Sequence, residues 1–296
     1  MKKIYKTKAV SDYGFFMHKN IFFCIFCHIS TSKSIVYCMT IYIAIFLAIV
    51  QGLTEFLPVS SSGHLVLFQK IFGVNVDCLL FDIVLHLGTL VAVFIVYYKS
   101  IFEIIKHPFC EKVQKLVLAT IPTVLIALLF KDVIKSSFQG DFLFIGFLVT
   151  AVIMFIADYS AKHNYQYKNL GYGNSVIMGL FQGLAIFPGI SRSGSTITAG
   201  IVQGVRRSES AEFSFMMSIP AILGSLVFEL FDIGASSLSV SFPILLAGFL
   251  FSAVSGYLAI KFMLKVIKKA KFVWFGVYLA ILSTILILNQ YIFAWF

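Results

Sequence analysis

The sequence predicts an all-α polytopic membrane protein with an inverted-topology repeat, in which each half holds one re-entrant helical hairpin and three transmembrane helices. The 296 residues are 59% hydrophobic and 12% charged, with a mean hydropathy of +0.95. They include too few polar side chains to cover a soluble surface. Several apolar stretches reach the roughly 20 residues that a spanning helix needs, without the alternation of barrel strands. An internal repeat completes the prediction.

The repeat consists of two fourteen-residue segments. QGLTEFLPVSSSGH begins at Gln51, and QGLAIFPGISRSGS begins at Gln182, 131 residues later. They align without a gap and are identical at seven of fourteen positions, where composition alone would give roughly one identity. Their chemistry differs, because the first segment carries Glu55 and His64 whereas the second carries Arg192. One copy therefore supplies an acid and a base, and the other supplies a cation.

Residues 1–38 differ from the rest of the chain, with six lysines and three of the five cysteines. They lack the long apolar centre and the small-residue cleavage site of a signal peptide. We expect this N-terminal extension to be disordered or not translated, with translation starting at Met39. Residues 39–296 then form the membrane domain.

Each repeated segment interrupts a short apolar stretch. The half-helices are predicted at 40–57 and 65–72 in the first half, and at 175–187 and 197–205 in the second. Short segments interrupted by Gly and Pro at corresponding places in two halves are typical of re-entrant hairpins that meet near the bilayer midplane. Full spans are predicted at about 79–98, 115–130, 141–159, 212–232, 241–263 and 272–294. An offset of 131 places the first three on the last three, which gives repeat one at about 40–160 and repeat two at about 171–294.

The loop charges predict the orientation. Three crossings separate the hairpins, so the second repeat is inverted relative to the first. The Lys and Arg residues of one side are Lys99, Lys106, Lys112, Lys115, Lys162, Lys168, Arg206, Arg207, Lys261, Lys265, Lys268, Lys269 and Lys271. Outside residues 1–38, the other side carries Lys70, Lys131 and Lys135. The positive-inside rule makes the first side cytoplasmic. It also accounts for the net charge of +10 without nucleic acid as a partner.

The hairpin tips have the composition of a phosphate site. Helix N-termini offer free N–H groups, and the small residues Ser62, Gly63, Ser193 and Gly194 let a phosphate approach the backbone closely. The planar guanidinium of Arg192 suits phosphate oxygens. The P-loop pattern GxxxxGK[ST] is absent from the sequence, which argues against nucleotide hydrolysis.

The first tip adds groups for catalysis. Glu55 follows Gln51 by four residues, so both lie on one helical face. A carboxylate beside phosphate favours a hard divalent cation, Mg²⁺ with Ca²⁺ as the alternative, to which Gln51 would offer a neutral oxygen. Among the three serines at 60–62 we prefer Ser61 as the nucleophile, with His64 moving its proton. His64 as the nucleophile is the alternative. The set fits metal-assisted phosphoryl transfer to a hydroxyl or water.

These motifs resemble those of the bacitracin-resistance family of undecaprenyl-diphosphate phosphatases. The first is (E/Q)xxxE running into PVSSSGH, and the second is PGxSRSxxT, written here as PGISRSGST. The resemblance covers Met39 to Phe296. It implies release of one phosphate from undecaprenyl diphosphate at the outer side of the cytoplasmic (inner) membrane, which regenerates the lipid carrier for peptidoglycan precursors and gives bacitracin tolerance. It also implies functional roles for Gln51, Glu55, Ser60, Ser61, His64, Ser191, Arg192 and Thr196. Many members have Glu where this chain has Gln51.

A second function class is compatible with the same pattern. Inverted repeats with broken helices are typical of secondary transporters, so the chain could instead flip a polyprenyl phosphate. A transporter has no use for a nucleophile, a base and a metal carboxylate together, which favours the phosphatase. Expected partners are the polyprenyl diphosphate lipid and the bilayer, with a homodimer as one oligomeric state to test. Aromatic residues are interpreted as packing or lipid-facing, and His86 as structural.

Overall fold

In a computed structural model, the described residues are 39–74, 79–138, 140, 142–163, 168–232, 240–267 and 271–293. All of them belong to one compact unit. The expectations for residues 1–38 lie outside the described residues. Within those ranges the secondary structure is helical apart from one isolated β-bridge, between Lys168 and Val205.

Twelve α-helices are found in the described residues, followed by one π-helical turn. In chain order they are α1 (Ile41–Phe56), α2 (Ser61–Ile71), α3 (Leu79–Val96), α4 (Tyr98–Lys106), α5 (Glu111–Leu129), α6 (Lys131–Ser137), α7 (Leu143–His163), α8 (Tyr172–Leu184), α9 (Arg192–Val202), α10 (Arg207–Asp232), α11 (Phe242–Val266) and α12 (Val273–Leu288), with the π-helical turn at Asn289–Phe293.

Six of the helices are long and apolar enough to cross a membrane, namely α3, α5, α7, α10, α11 and α12 with its π-helical extension. These are the six spans that the sequence predicts, and that prediction is confirmed at this level. Two begin earlier than expected, because Glu111 and Arg207 already lie in the first turns of α5 and α10. The short helices α4 and α6 were not predicted, and neither contains a buried residue.

The helix that follows each repeated motif begins earlier than predicted. Helix α2 starts at Ser61 rather than at residue 65, and α9 starts at Arg192 rather than at residue 197. A serine caps each helix: the Ser60 side chain accepts from the Gly63 N–H and the Ser191 side chain from the Gly194 N–H. Ser is a strong N-cap residue because its oxygen satisfies an N–H that has no partner within the helix. The polar motifs therefore form first helical turns rather than loops.

Each half of the chain inserts its first short helix against the other half. Helix α1 packs on α11, and α8 packs on α5. Both contacts need glycine: a Cβ added at Gly52 would lie 1.9 Å from Ser255 Oγ, and one added at Gly179 would lie 2.0 Å from the Ala119 carbonyl oxygen. This close packing fixes the short helices, and with them the polar tips that follow.

Candidate active site

The tip between α1 and α2 bends sharply at Ser60, whose φ of +68° lies in the left-handed region that non-glycine residues rarely adopt. Such strained backbone persists only where the surroundings hold it, and it is often found at functional sites. Here the Ser60 Oγ accepts from the Gly63 N–H at 3.3 Å and lies 3.5 Å from the Ser62 Oγ. The strained turn thus carries three of the predicted phosphate-binding residues at the start of α2.

The tip between α8 and α9 has the same local pattern. The Ser191 Oγ accepts from the Gly194 N–H at 3.1 Å and lies 3.4 Å from the Ser193 Oγ. Ser191 has ordinary extended backbone at its cap position. Arg192 is the first residue of α9, so its side chain leaves the helix at the positive end of the dipole.

The two tips meet. A Cβ added at Gly63 would lie 2.9 Å from the Gly189 Cα and 2.7 Å from the ring of Phe147. The Ser193 hydroxyl also donates to the Leu57 carbonyl oxygen at 3.0 Å. Backbone can approach so closely only where side chains are absent, which explains the glycine at both positions. The structure therefore brings together the two motifs that lie 131 residues apart in the sequence.

An ion pair links the tips. The Arg192 Nη2 donates to the Glu55 Oε1. The side chains are largely buried, with exposed fractions of 5% for Glu55 and 16% for Arg192. Charges removed from water in this way are costly unless they are paired and hydrogen-bonded. The acid of the first copy and the cation of the second thus neutralise each other.

The second carboxylate oxygen of Glu55 accepts two more hydrogen bonds. The Ser61 hydroxyl donates to Oε2 at 2.6 Å, and the Gln51 side-chain amide donates to it at 3.0 Å. We expected His64 to take the Ser61 proton; in this geometry the group that accepts from Ser61 is Glu55. A hydroxyl bonded to a carboxylate is the arrangement of an activated nucleophile.

His64 is buried and held on both ring nitrogens. Its Nδ1 lies 2.7 Å from the Ser60 carbonyl oxygen and its Nε2 lies 2.7 Å from the Tyr278 hydroxyl. The Phe147 ring packs against it edge-on, with centroids 5.2 Å apart. His64 is therefore at the same tip as Ser61, but its hydrogen bonds point elsewhere.

Two buried polar atoms of the site have no hydrogen-bond partner among the described residues: Gln51 Oε1 and Arg192 Nη1. Buried polar groups are nearly always paired, so the unpaired acceptor and donor beside one carboxylate are the groups with which a polar ligand would pair. Arg192 Nη1 suits an anionic oxygen, whereas Gln51 Oε1 suits a cation or a donor. Together they are complementary to a phosphate with its counter-ion.

Thr196 lies one turn into α9, and its hydroxyl bonds to α9 and α10 rather than to Glu55. Its hydroxyl donates to the Arg192 carbonyl oxygen at 2.8 Å and lies 2.6 Å from the Ser214 Oγ. This contact ties the first turn of α9 to α10. Gly194 is packed closely, since an added Cβ would lie 2.9 Å from the Met154 Cε. Thr196 and Gly194 therefore hold Arg192 in place.

The sequence reasoning missed two residues. His86 of α3, interpreted as structural, has its Nε2 4.0 Å from the Glu55 Oε2, while its Nδ1 lies 2.8 Å from the Asp82 carbonyl oxygen. An ionisable residue inside a predicted span was a usable signal for function. Tyr278 gave no such signal, because aromatic residues in spans pack or face lipid by default.

A divalent cation can be tested against these residues. Among the described residues, no three His, Cys, Asp or Glu side chains come together as a preformed metal site. The candidate donors are the Glu55 carboxylate, which also bonds to Arg192, Ser61 and Gln51, and the unpaired Gln51 Oε1. That donor set fits Mg²⁺, which is commonly bound through one or two carboxylates, water and substrate phosphates rather than by a full protein cage.

Known proteins are similar to this chain over a range that includes both repeated segments. The family model described as "Bacitracin resistance protein BacA" matches residues 44–285. A protein named "Undecaprenyl-diphosphatase" from Carboxydothermus hydrogenoformans is 43% identical over 256 residues, covering 85% of this chain and 98% of that protein. Proteins with the same name from Halothermothrix orenii and Methanosphaera stadtmanae are 40% and 39% identical, over 86% and 83% of this chain and 100% and 96% of their own lengths.

Proposed function

The chain belongs to the bacitracin resistance protein BacA family, and we propose that it hydrolyses undecaprenyl diphosphate to undecaprenyl phosphate and inorganic phosphate. The observation that carries the proposal is the contact between the tips, in which Arg192 and Ser61 both bond to Glu55. The Arg192 guanidinium and the Ser61 hydroxyl share one carboxylate, which supports phosphate binding by the first and activation of the second. The relatives' names give the substrate, and the geometry supports the chemistry.

In the proposed reaction, the Ser61 oxygen attacks the terminal phosphorus and the bond to the bridging oxygen breaks. Undecaprenyl phosphate leaves, the Ser61 proton passes to Glu55, and water then releases phosphate from the serine. Arg192 bonds to the diphosphate oxygens through Nη1, and their negative charge competes with Glu55 for the guanidinium. The competition frees Glu55 to accept the proton.

The other predicted residues have supporting roles. Ser60, Ser62, Gly63, Ser191, Ser193 and Gly194 form the capped first turns of α2 and α9, and the N–H groups that the caps leave unpaired there are proposed to bind phosphate oxygens. A divalent cation, Mg²⁺ or Ca²⁺, would be held by the substrate together with Gln51 and the Glu55 oxygen that does not take the Ser61 proton, and would supply charge neutralisation for the diphosphate. His64 is proposed to exchange a proton with the phosphate oxygens.

We also propose that the fold is an inverted repeat with two re-entrant hairpins. Equivalent hydrogen bonds support it: the Thr123 hydroxyl donates to the Gly179 carbonyl oxygen at 2.9 Å, and the Ser255 hydroxyl to the Ala48 carbonyl oxygen at 3.4 Å. Gly179 and Ala48 are related by the 131-residue offset. Helix α1, with 16 residues, is shorter than a full span needs.

The loop charges support an orientation in which the first hairpin enters the membrane from the outer side, and we propose that the site opens to that side of the cytoplasmic membrane. A phosphatase there would recycle the lipid carrier for peptidoglycan synthesis. It would also lower the amount of lipid diphosphate on which bacitracin acts, and so give tolerance.

The test is phosphate release from undecaprenyl diphosphate by the purified protein in detergent with Mg²⁺. Wild type should release phosphate, whereas Ser61→Ala, Glu55→Gln and Arg192→Gln should lose at least about 100-fold in kcat, as expected for groups that act on the transition state. Ser136→Ala removes a hydroxyl on the unburied helix α6 and should behave as wild type. If wild type releases no phosphate but moves the monophosphate lipid across vesicle membranes, the protein is a flippase and not a phosphatase.

A further inference from the structure

We propose that Tyr278 is a positioning residue for His64, whose ring it holds in the orientation that makes Nε2 the reactive nitrogen. The proposal deepens the proposed function, since it concerns a histidine of the same site. It starts from the 2.7 Å contact between the Tyr278 hydroxyl and the His64 Nε2. Their two positions lie 214 residues apart in the sequence.

The other ring nitrogen decides the tautomer. The His64 Nδ1 lies 2.7 Å from the Ser60 carbonyl oxygen, and a carbonyl oxygen can only accept. Neutral His64 therefore carries its proton on Nδ1, and its Nε2 lone pair accepts from the Tyr278 hydroxyl. Once His64 is protonated, the Nε2–H can donate to the same tyrosine oxygen. A single hydroxyl thus serves both protonation states.

The rings are also held by stacking. The His64 and Tyr278 rings are 14° from parallel with centroids 5.8 Å apart, and the Phe147 ring meets His64 edge-on at 72°. His64 is 3% exposed, so it cannot turn without moving these neighbours. Its plane is consequently fixed from two sides and at both nitrogens.

Helix α12, which carries Tyr278, is held in place by its contacts with α7. Helix α12 packs on α7, where the Ser283 hydroxyl donates to the Phe144 carbonyl oxygen at 2.8 Å. A Cβ added at Gly276 would lie 2.9 Å from the Phe155 ring. Because these contacts fix the register of α12, the Tyr278 hydroxyl is held at the His64 ring. Tyr278 itself is 46% exposed and can swing aside when a phosphate oxygen reaches Nε2.

The consequence is a definite assignment of the reactive atom. Nδ1 is used by the backbone, so the proton that His64 exchanges with a phosphate oxygen moves through Nε2. In the absence of substrate the same nitrogen is covered by Tyr278. The Ser60 carbonyl oxygen therefore excludes the opposite tautomer, and the Tyr278 hydroxyl keeps the ring oriented with Nε2 toward it.

The direct test is ¹⁵N-histidine NMR of the full chain in detergent micelles, with His64→Asn identifying the His64 signals. Wild type should show a protonated Nδ1 and an unprotonated Nε2, and Tyr278→Phe should move the Nε2 resonance toward the value of a nitrogen without a hydrogen bond. Tyr291→Phe is the matched control, because Tyr291 packs on Phe144 and is 69% exposed. An Nε2 resonance that is the same in wild type and Tyr278→Phe would overturn the proposal.

Kinetics give the second readout. Tyr278→Phe should lower kcat for phosphate release about tenfold with little change in KM, because a His64 ring without this partner is less often in the productive orientation when substrate arrives. In a His64→Asn background the same substitution should have no further effect. An equal loss in both backgrounds would show that Tyr278 does not act through His64. If wild type releases no phosphate, the proposed function is wrong, but the NMR comparison still tests whether Tyr278 bonds to the Nε2 of His64.

Discussion

Breaking the ion pair between the tips should destabilise the protein strongly. Glu55→Gln keeps the size of the side chain but leaves the Arg192 guanidinium, 16% exposed, without its carboxylate. Removing one partner of a buried ion pair costs about 3–5 kcal/mol, and partial access of water to Arg192 favours the lower value. We therefore expect a loss of about 3 kcal/mol in the free energy of unfolding. For a chain of this size that corresponds to a fall of roughly 6–12 °C in Tm.

The measurement is thermal unfolding in detergent, followed by tryptophan fluorescence. The matched control is Glu212→Gln, which breaks an ion pair with Lys112 at 3.2 Å whose side chains are 47% and 33% exposed. Exposed pairs contribute about 0–1 kcal/mol, so this control should shift Tm by less than about 4 °C.

A double-mutant cycle separates the interaction energy of the Glu55–Arg192 pair from the effect of each single substitution. Arg192→Gln should also destabilise, because Glu55 would then be a buried carboxylate without a cation. The double variant Glu55→Gln/Arg192→Gln has neither charge, so its loss should be smaller than the sum of the two single losses by about 2 kcal/mol or more. Strictly additive losses, or a Glu55→Gln shift no larger than that of Glu212→Gln, would refute the buried ion pair as the tie between the tips.

Three further results are expected. Gly63→Ala places a Cβ 2.9 Å from the Gly189 Cα and should separate the tips, lowering phosphate release at least tenfold, whereas Gly173→Ala, with nothing within 4 Å of its Cβ, should match wild type in the same assay. His86→Phe keeps a ring but removes the nitrogen 4.0 Å from Glu55, and should lower kcat several-fold; unchanged initial rates would return His86 to a structural role. Chelation of divalent cations should abolish phosphate release and added Mg²⁺ should restore it, so full activity in excess chelator would argue against the metal.

The membrane spans could be predicted because their signal is local. An apolar stretch of about 20 residues is sufficient to identify a spanning helix, and the repeated motif located the polar tips. The starts of α2 and α9 were misplaced, because the serines were taken as loop residues. Ser60 and Ser191 in fact cap the helices that follow them. A serine three residues before a glycine is compatible with both loops and caps, so the sequence pattern did not distinguish them.

The partners of individual side chains depend on contacts that no local pattern contains. Ser61 was paired with His64 because they are three residues apart, a spacing that brings side chains together within a helix. In the structure Ser61 bonds to Glu55, six positions earlier across the turn. Tyr278 reaches His64 through the packing of α12 on α7. Both contacts follow from the bend at Ser60 and from helix packing, which are tertiary features.

Dividing the acid and the cation between two tips has a consequence for substrate binding. The Glu55–Arg192 pair holds the tips together, yet a diphosphate that bonds to Arg192 Nη1 would compete with Glu55 for the same guanidinium. The other tip contacts do not involve charge: the Ser193 hydroxyl bonds to the Leu57 carbonyl oxygen at 3.0 Å, and Gly63 contacts Gly189. These contacts can persist while the ion pair opens. The tips therefore stay together while Arg192 exchanges its contact with Glu55 for one with the diphosphate. The Glu55 carboxylate remains bonded to the Ser61 hydroxyl, which it is proposed to deprotonate.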